Sequence, residues 1–125
     1  MGVMLSLCAP FSGTHRHIES LTGLPVAVTF LGSTPAGETV SVQLTGQDEQ
    51  LCHGPFGPAF RIHGRNVGEI FKAVTENYPG IRFVDLTVVV QCGEQELRKT
   101  IDACPLNLEL FSTIVRRLLR QINGR

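Results

Sequence analysis

Hydrophobic and polar residues alternate in two neighbouring stretches near the start of the chain. Their apolar positions are Val26, Val28, Phe30, Val40, Val42 and Leu44. A period of two is typical of a strand with one buried face. Residues 32–37 between the stretches are rich in Gly, Ser, Thr and Pro, which favours a turn. The sequence therefore predicts a β-hairpin with one polar, solvent-facing side.

The segment after this hairpin has little regular pattern. Residues 46–50 are polar, and residues 51–58 contain two prolines and two glycines, which argue against a regular central strand. Phe60 and Ile62 are again separated by one polar residue. We therefore expect a loop and an irregular stretch up to residue 58, followed by a short third strand.

An amphipathic helix is predicted next. Its apolar positions, at helical spacing, are Val67, Ile70, Phe71, Val74 and Tyr78. Asn66 is a favourable N-cap, and the Pro79–Gly80 pair ends the helix. We expect one face of this helix to pack on the sheet.

Residues 81–91 have the strongest strand pattern in the chain, with apolar residues at Leu86, Val88 and Val90. A tight turn at Cys92–Gly93 would return the chain as a partner strand over residues 94–101. Four of the eight residues of this second strand are charged, which is typical of a protected sheet edge.

The last predicted element is a helix from about residue 107 to residue 122. It carries an apolar seam spaced 3, 4, 3, 4, which consists of Leu108, Phe111, Val115, Leu118 and Ile122. Two interpretations are open. The seam can pack across the sheet of its own chain, which we favour, or it can form an oligomer contact.

The order of these elements predicts an α+β fold, with a single, mostly antiparallel sheet of about five strands and two helices packed on it. Residues 25–125 would form one globular domain. Residues 1–24 would form an N-terminal arm that drapes over the surface or is flexible, with a short helix over 18–21 as an option.

Composition narrows the function. The chain has 11 basic and 11 acidic residues, so its net charge is zero, and binding to nucleic acid is not expected. Its four cysteines occur without any signal for secretion, so we expect reduced thiols. Hydrophobic residues make up 42% of the chain, which favours self-association or membrane contact.

Catalytic patterns are weak. The chain has no G-x-S-x-G, glycine-rich phosphate loop or H-E-x-x-H motif. Cys52 and His53 are adjacent, but a nucleophile and its base must be neighbours in space. The histidines and cysteines have no metal-ligand spacing. We therefore expect neither an enzyme, nor a metal, nor a cofactor; an enzyme or metal site at Cys52, His53 and His63 is the remaining alternative.

The first eight residues predict lipid attachment. Gly2 and Ser6 match the N-myristoylation pattern M-G-x-x-x-[ST], and Cys8 is a candidate for palmitoylation. One myristoyl chain binds a membrane only marginally, and the arm has one arginine and no lysine, so Cys8 would be the second anchor. The alternative is a short first strand or a docked apolar tail.

Two basic groups could add to membrane binding or contact a partner. Arg61, His63 and Arg65 alternate, so an extended strand would present them on one face. The second group lies toward the end of the last helix and consists of Arg116, Arg117 and Arg120.

A small, acylatable α+β protein without an enzyme motif resembles the matrix proteins of enveloped RNA viruses. The likeness rests on the N-terminal motif and on the order of elements across residues 25–122. It implies a protein that coats the cytoplasmic face of a host membrane, enters the virion, self-associates and contacts a nucleocapsid or envelope component. The chain departs from these proteins in lacking P-P-x-Y and P-T-A-P motifs and a lysine-rich arm.

We therefore expect a non-enzymatic, membrane-associated structural protein that forms homo-oligomers and binds protein partners. The alternative is a soluble protein-binding adaptor module without a lipid anchor.

Overall fold

The computed structural model describes residues 12–44, 49–54, 58–103 and 108–123. The elements are α1 (Ser12–Thr22), β1 (Val26–Ser33), β2 (Thr39–Leu44), β3 (Glu49–His53), β4 (Phe60–His63), α2 (Val67–Asn77), β5 (Asp85–Cys92), β6 (Gln95–Asp102) and α3 (Leu108–Asn123). The fold is α+β, as predicted. The described strands form one antiparallel sheet in the order β4-β3-β2-β1-β5-β6.

Strand β1 lies in the middle of the sheet and pairs with β2 on one side and β5 on the other. Phe30 is level with Val42 and Val88, and all three are buried. We call their side of the sheet the inner face, and the opposite side, with Thr29, Gln43 and Val89 level with one another, the outer face. Helices α1, α2 and α3 all contribute buried residues to the core on the inner face.

Both predicted hairpins form. Strands β1 and β2 pair from Val28 with Leu44 to Ser33 with Thr39. Strands β5 and β6 are joined by a two-residue turn between Cys92 and Gln95, one residue later than expected. Gly93 has φ of 60°, the left-handed conformation that the first position of a type II′ turn requires.

The expected strand count was too low because β3 was predicted as loop and irregular chain. Cys52 pairs with both Val42 and Phe60, so β3 is an inner strand of the sheet. Its alternation was hidden by Gln50, a polar residue on the inner face whose Nε2 donates a hydrogen bond of 2.7 Å to the Gly64 carbonyl. The prolines and glycines that argued against a strand fall after β3, not within it.

The number of helices was also too low, since the described structure contains three. Helix α1 covers most of the second half of the predicted arm, and its Ile18 is only 2% exposed. Two polar side chains attach α1 to the start of β1. His15 Nε2 lies 2.5 Å from the Val26 carbonyl oxygen, and the Val26 N–H donates to Glu19 at 2.9 Å. A helix docked through polar side chains gives no apolar stripe in the sequence.

Helix α2 begins at the residue that the sequence predicted. Asn66 accepts a hydrogen bond of 3.0 Å from the Glu69 N–H, and Glu69 in turn accepts one of 3.0 Å from the Arg65 N–H. The first bond satisfies a backbone donor that the first helical turn leaves unpaired, and the second ties the residue before the cap to the helix. Residues 81–84 were expected to extend the following strand, but β5 begins only at Asp85.

An aromatic cluster joins the sheet to two helices. Phe30 of β1 lies edge-on to Phe111 of α3, with ring centroids 4.7 Å apart, and stacks with Phe71 of α2 at 6.0 Å. Phe83 packs edge-on against Phe71 at 6.1 Å. Phe83 can approach the inner face because Gly32 has no side chain; a Cβ there would lie 2.6 Å from its ring.

We expect Gly32→Ala to lower the free energy of unfolding by about 1–3 kcal/mol, because the new methyl group overlaps the Phe83 ring. Urea unfolding checks this. The double variant Gly32→Ala/Phe83→Leu should recover part of the loss, since the smaller side chain relieves the overlap. A single variant as stable as the wild type would contradict the packing described here.

Candidate functional site

The structure describes the predicted oligomer contact but not the predicted lipidation site. The lipidation candidates Gly2 and Cys8 lie outside the described residues. Of the predicted oligomer contact, Phe111, Val115, Leu118 and Ile122 are buried in the core of the same chain, and Leu108 is half-buried against it. The seam of α3 therefore packs on its own sheet, and its four buried members are not accessible to a second copy.

The predicted group of Arg61, His63 and Arg65 is only partly brought together. Arg61 and His63 project from the outer face on the edge strand β4, with side chains 77% and 84% exposed. The carboxylate of Glu49 lies between them, 4.0 Å from Arg61 Nη1 and 3.6 Å from His63 Nε2. Arg65 is exposed beyond the end of β4. Glu49 therefore offsets much of the positive charge on this part of the outer face.

The second predicted basic group lies on α3, near the edge of the sheet opposite β4. Arg117 and Arg120 are exposed, whereas Arg116 is half-buried. Because α3 contacts β5 and β6, and β4 forms the opposite edge of the sheet, the two predicted basic groups do not form one surface.

Two concave regions of the described surface can be considered as sites. The larger, a cleft of about 730 Å³, lies between the β1–β2 turn and the chain after α2. Its charged lining residues, Glu38 and Arg82, have opposite signs, so it has no marked charge preference. Tyr78 is one of its lining residues; its hydroxyl is buried without a hydrogen-bond partner among the described residues, and burial raises the pKa of this group.

The smaller region, which we call the edge groove, has the more distinctive chemistry. It has a volume of about 340 Å³, lies between β6 and α3, and is lined by Leu97, Arg98, Lys99, Ile114, Arg117, Leu118 and Gln121. Three of these residues are cationic, and none is acidic. Leu97, Ile114 and Leu118 give it an apolar floor.

The charge of the edge groove is largely uncompensated. Arg98 Nη2 lies 3.6 Å from Glu96 Oε2. Lys99 and Arg117 form no ion pair with a described residue. The arrangement can therefore attract an anionic group while apolar atoms contact the groove floor. We take the edge groove as the candidate functional site.

Sequence reasoning identified Arg117 but missed Lys99 and Leu97 as its neighbours. The signal was present in the alternation of β6, where Leu97, Lys99 and Ile101 share one face. Only the packing of α3 beside β6 turns that face into a groove.

Cys52 and His53 do not form a catalytic pair. Neighbouring residues of a strand point to opposite faces, so Cys52 is buried on the inner face while His53 is exposed on the outer face. Burial raises the pKa of the Cys52 thiol to about 11, which keeps it protonated and unreactive at neutral pH. Among the described residues, no group of three or more His, Cys, Asp or Glu side chains is placed to hold a metal ion.

Comparison with protein-family models, with curated proteins and with solved structures gave no match to this chain. None of the three described helices has the length and apolar character that crossing a membrane requires. The edge groove and the N-terminal motif are therefore the features of this chain that indicate a function.

We expect the raised pKa of Cys52 to make the protein less stable in alkali. The folded state holds this proton more tightly than the unfolded state, so stability is full below pH 9 and falls by about 2 kcal/mol as the pH rises to 11. Urea unfolding at several pH values measures the loss. Cys52→Ala should have a smaller loss over this range; an unchanged loss would contradict the assignment to Cys52.

Proposed function

We propose that the protein is a non-enzymatic, membrane-associated structural protein, comparable in role to a viral matrix protein. It binds the cytoplasmic face of a host membrane, self-associates there and contacts protein partners such as a nucleocapsid or envelope component. The observation that carries the proposal is the edge groove, where Lys99 and Arg117 lie beside an apolar floor.

An anionic lipid surface suits this groove. Each Lys or Arg close to such a surface contributes roughly 1 kcal/mol to binding. Lys99 and Arg117 have no acidic partner among the described residues, so their attraction to the membrane is not offset locally. Arg120, one helical turn beyond Arg117, adds a further exposed charge on α3.

Lipid attachment at Gly2 would strengthen the same interaction. Nine residues lie between Gly2 and the start of α1 at Ser12, so a lipid-bound Gly2 holds Ser12 within about 35 Å of the membrane at most. This restriction raises the effective concentration of the groove at the surface. A single acyl chain and a basic site together supply the two signals that stable binding needs.

The outer face favours the alternative function, a soluble protein-binding adaptor module. None of the three described helices packs on it, and its central residues Thr29, Leu31 and Val89 are half-buried with mixed polarity. Such a face can accept a protein partner. The adaptor requires neither acylation nor attraction to anionic lipid, so the two functions make different predictions.

Unacylated protein should bind vesicles that contain phosphatidylserine and should not bind vesicles of phosphatidylcholine alone. Lys99→Gln/Arg117→Gln removes two charges and should weaken binding about 30-fold in a flotation assay. The matched control is Lys72→Gln/Arg82→Gln, which removes two exposed charges elsewhere and should bind nearly as the wild type does. Equal weakening by both double variants would contradict a role for the edge groove.

Expression in eukaryotic cells tests the anchor. We expect the intact mass of the protein to include a myristoyl group, and Gly2→Ala to lose that mass and most of its membrane recovery on cell fractionation. Cys8→Ser should reduce recovery while leaving the myristoyl mass in place. Equal membrane recovery of wild type and Gly2→Ala, without any acyl mass, would support the adaptor instead.

A further inference from the structure

Strand β6 leaves backbone hydrogen-bonding groups exposed along one edge of the sheet. The two-residue turn bonds Gln95 to Cys92, so Gln95, Leu97 and Lys99 direct their N–H and C=O groups toward β5. Glu96, Arg98 and Thr100 therefore direct theirs away from the sheet, where no described strand lies. An edge eight residues long offers a template for another strand.

A second copy of β6 is the occupant that its charges fit. When two β6 strands pair antiparallel about a two-fold axis, residues whose backbone N–H and C=O groups point away from β5 must lie opposite each other. The axis must therefore pass between one residue and the same residue of the partner, and we name each register by that residue. An axis through Arg98 would place it opposite the partner's Arg98. An axis through Lys99 would oppose two lysines and also place Glu96 opposite the partner's Asp102. Like charges disfavour both registers.

Among the registers that pair at least five residues of each β6 strand, two avoid these clashes. An axis through Thr100 pairs Arg98 with the partner's Asp102 but places Lys99 against the apolar Ile101 of the partner. An axis through Leu97 pairs Glu96 with the partner's Arg98, and Arg98 with the partner's Glu96. It also places Leu97 against the partner's Leu97 on the inner face. The second register matches both charge and polarity.

Lys99 is the residue that most opposes pairing at this edge, since a lysine on the inner face commonly protects an edge strand. In the Leu97 register it lies opposite the partner's Gln95, whose amide oxygen can accept its hydrogen bond. Its aliphatic stem can cover apolar atoms of the paired leucines while its ammonium group stays in water. The edge grooves of the two copies then lie on the same side of the joined sheet.

We infer that the protein forms a two-fold homodimer through antiparallel pairing of β6 with β6 of a second copy, with the axis at Leu97. This inference rests on the proposed function insofar as it identifies the surface used for self-association. It concerns unacylated protein in solution and so can be tested without any membrane.

Cysteine substitution at four neighbouring positions locates the axis. Only the residue at the axis lies opposite itself, and paired Cα atoms about 4.5 to 5.5 Å apart suit a disulfide. Under mild oxidation Leu97→Cys should form the most covalent dimer, and Arg98→Cys, Lys99→Cys and Thr100→Cys should stay close to the wild-type level. Preferred crosslinking at any of the other three positions would overturn the register.

Charge exchange provides a second test that needs no new cysteine. Sedimentation should show a mass that rises with concentration up to about 1 mM. Glu96→Arg should weaken the dimer about tenfold, and Glu96→Arg/Arg98→Glu should restore it. Loss in the single variant without restoration in the double variant would overturn the pairing, as would a wild type that remains monomeric.

The proposed dimer and the proposed membrane role can each be contradicted without affecting the other. A monomer that still floats with phosphatidylserine vesicles would overturn the dimer alone. A dimer with the expected crosslink that does not bind those vesicles would overturn the proposed membrane role alone.

Discussion

The packing of Phe30 against Phe71 and Phe111 is the contact on which the rest of the structure depends. It attaches α2 and α3 to the central strand β1, and the centroids of the three phenyl rings lie only 4.7 to 6.0 Å apart. Aromatic side chains bury large apolar areas in fixed geometries, so small changes in their neighbours are costly. Gly32 belongs to the same arrangement, because its missing side chain makes room for Phe83. Helix α3, held at Phe30 through Phe111, also contacts β5 and β6 and so forms one side of the edge groove.

The same packing separates the two faces of the sheet. The helices pack on the inner face and form the core there, so Cys52 is buried and its thiol is unreactive at neutral pH. His53 is exposed on the outer face. Charged side chains are left at the two edges. At β4, Glu49 offsets Arg61 and His63. At the other edge, Lys99 and Arg117 have no such partner among the described residues. Because of this difference between the edges, the membrane-binding site and the dimer contact are both proposed at β6.

Local signals were sufficient where a segment buries one regular face. The alternation in β1, β2 and β5 and the Asn66 cap of α2 could be read directly, because the sequence period matches the geometry of the element. The same kind of local signal did not predict β3 or α1. Gln50 bonds to the Gly64 carbonyl, and His15 and Glu19 bond to the backbone of Val26, so polar residues take positions that a hydrophobic pattern treats as solvent-exposed.

The sequence by itself determined the α+β class, most of the elements and the N-terminal acylation motif, since each depends on residues close together in the chain. Tertiary structure alone decided that the apolar seam of α3 is buried in its own core, because that depends on where the helix docks. It also decided which cations meet. Lys99 and Arg117 are 18 positions apart and share a groove only because α3 lies beside the edge strand β6.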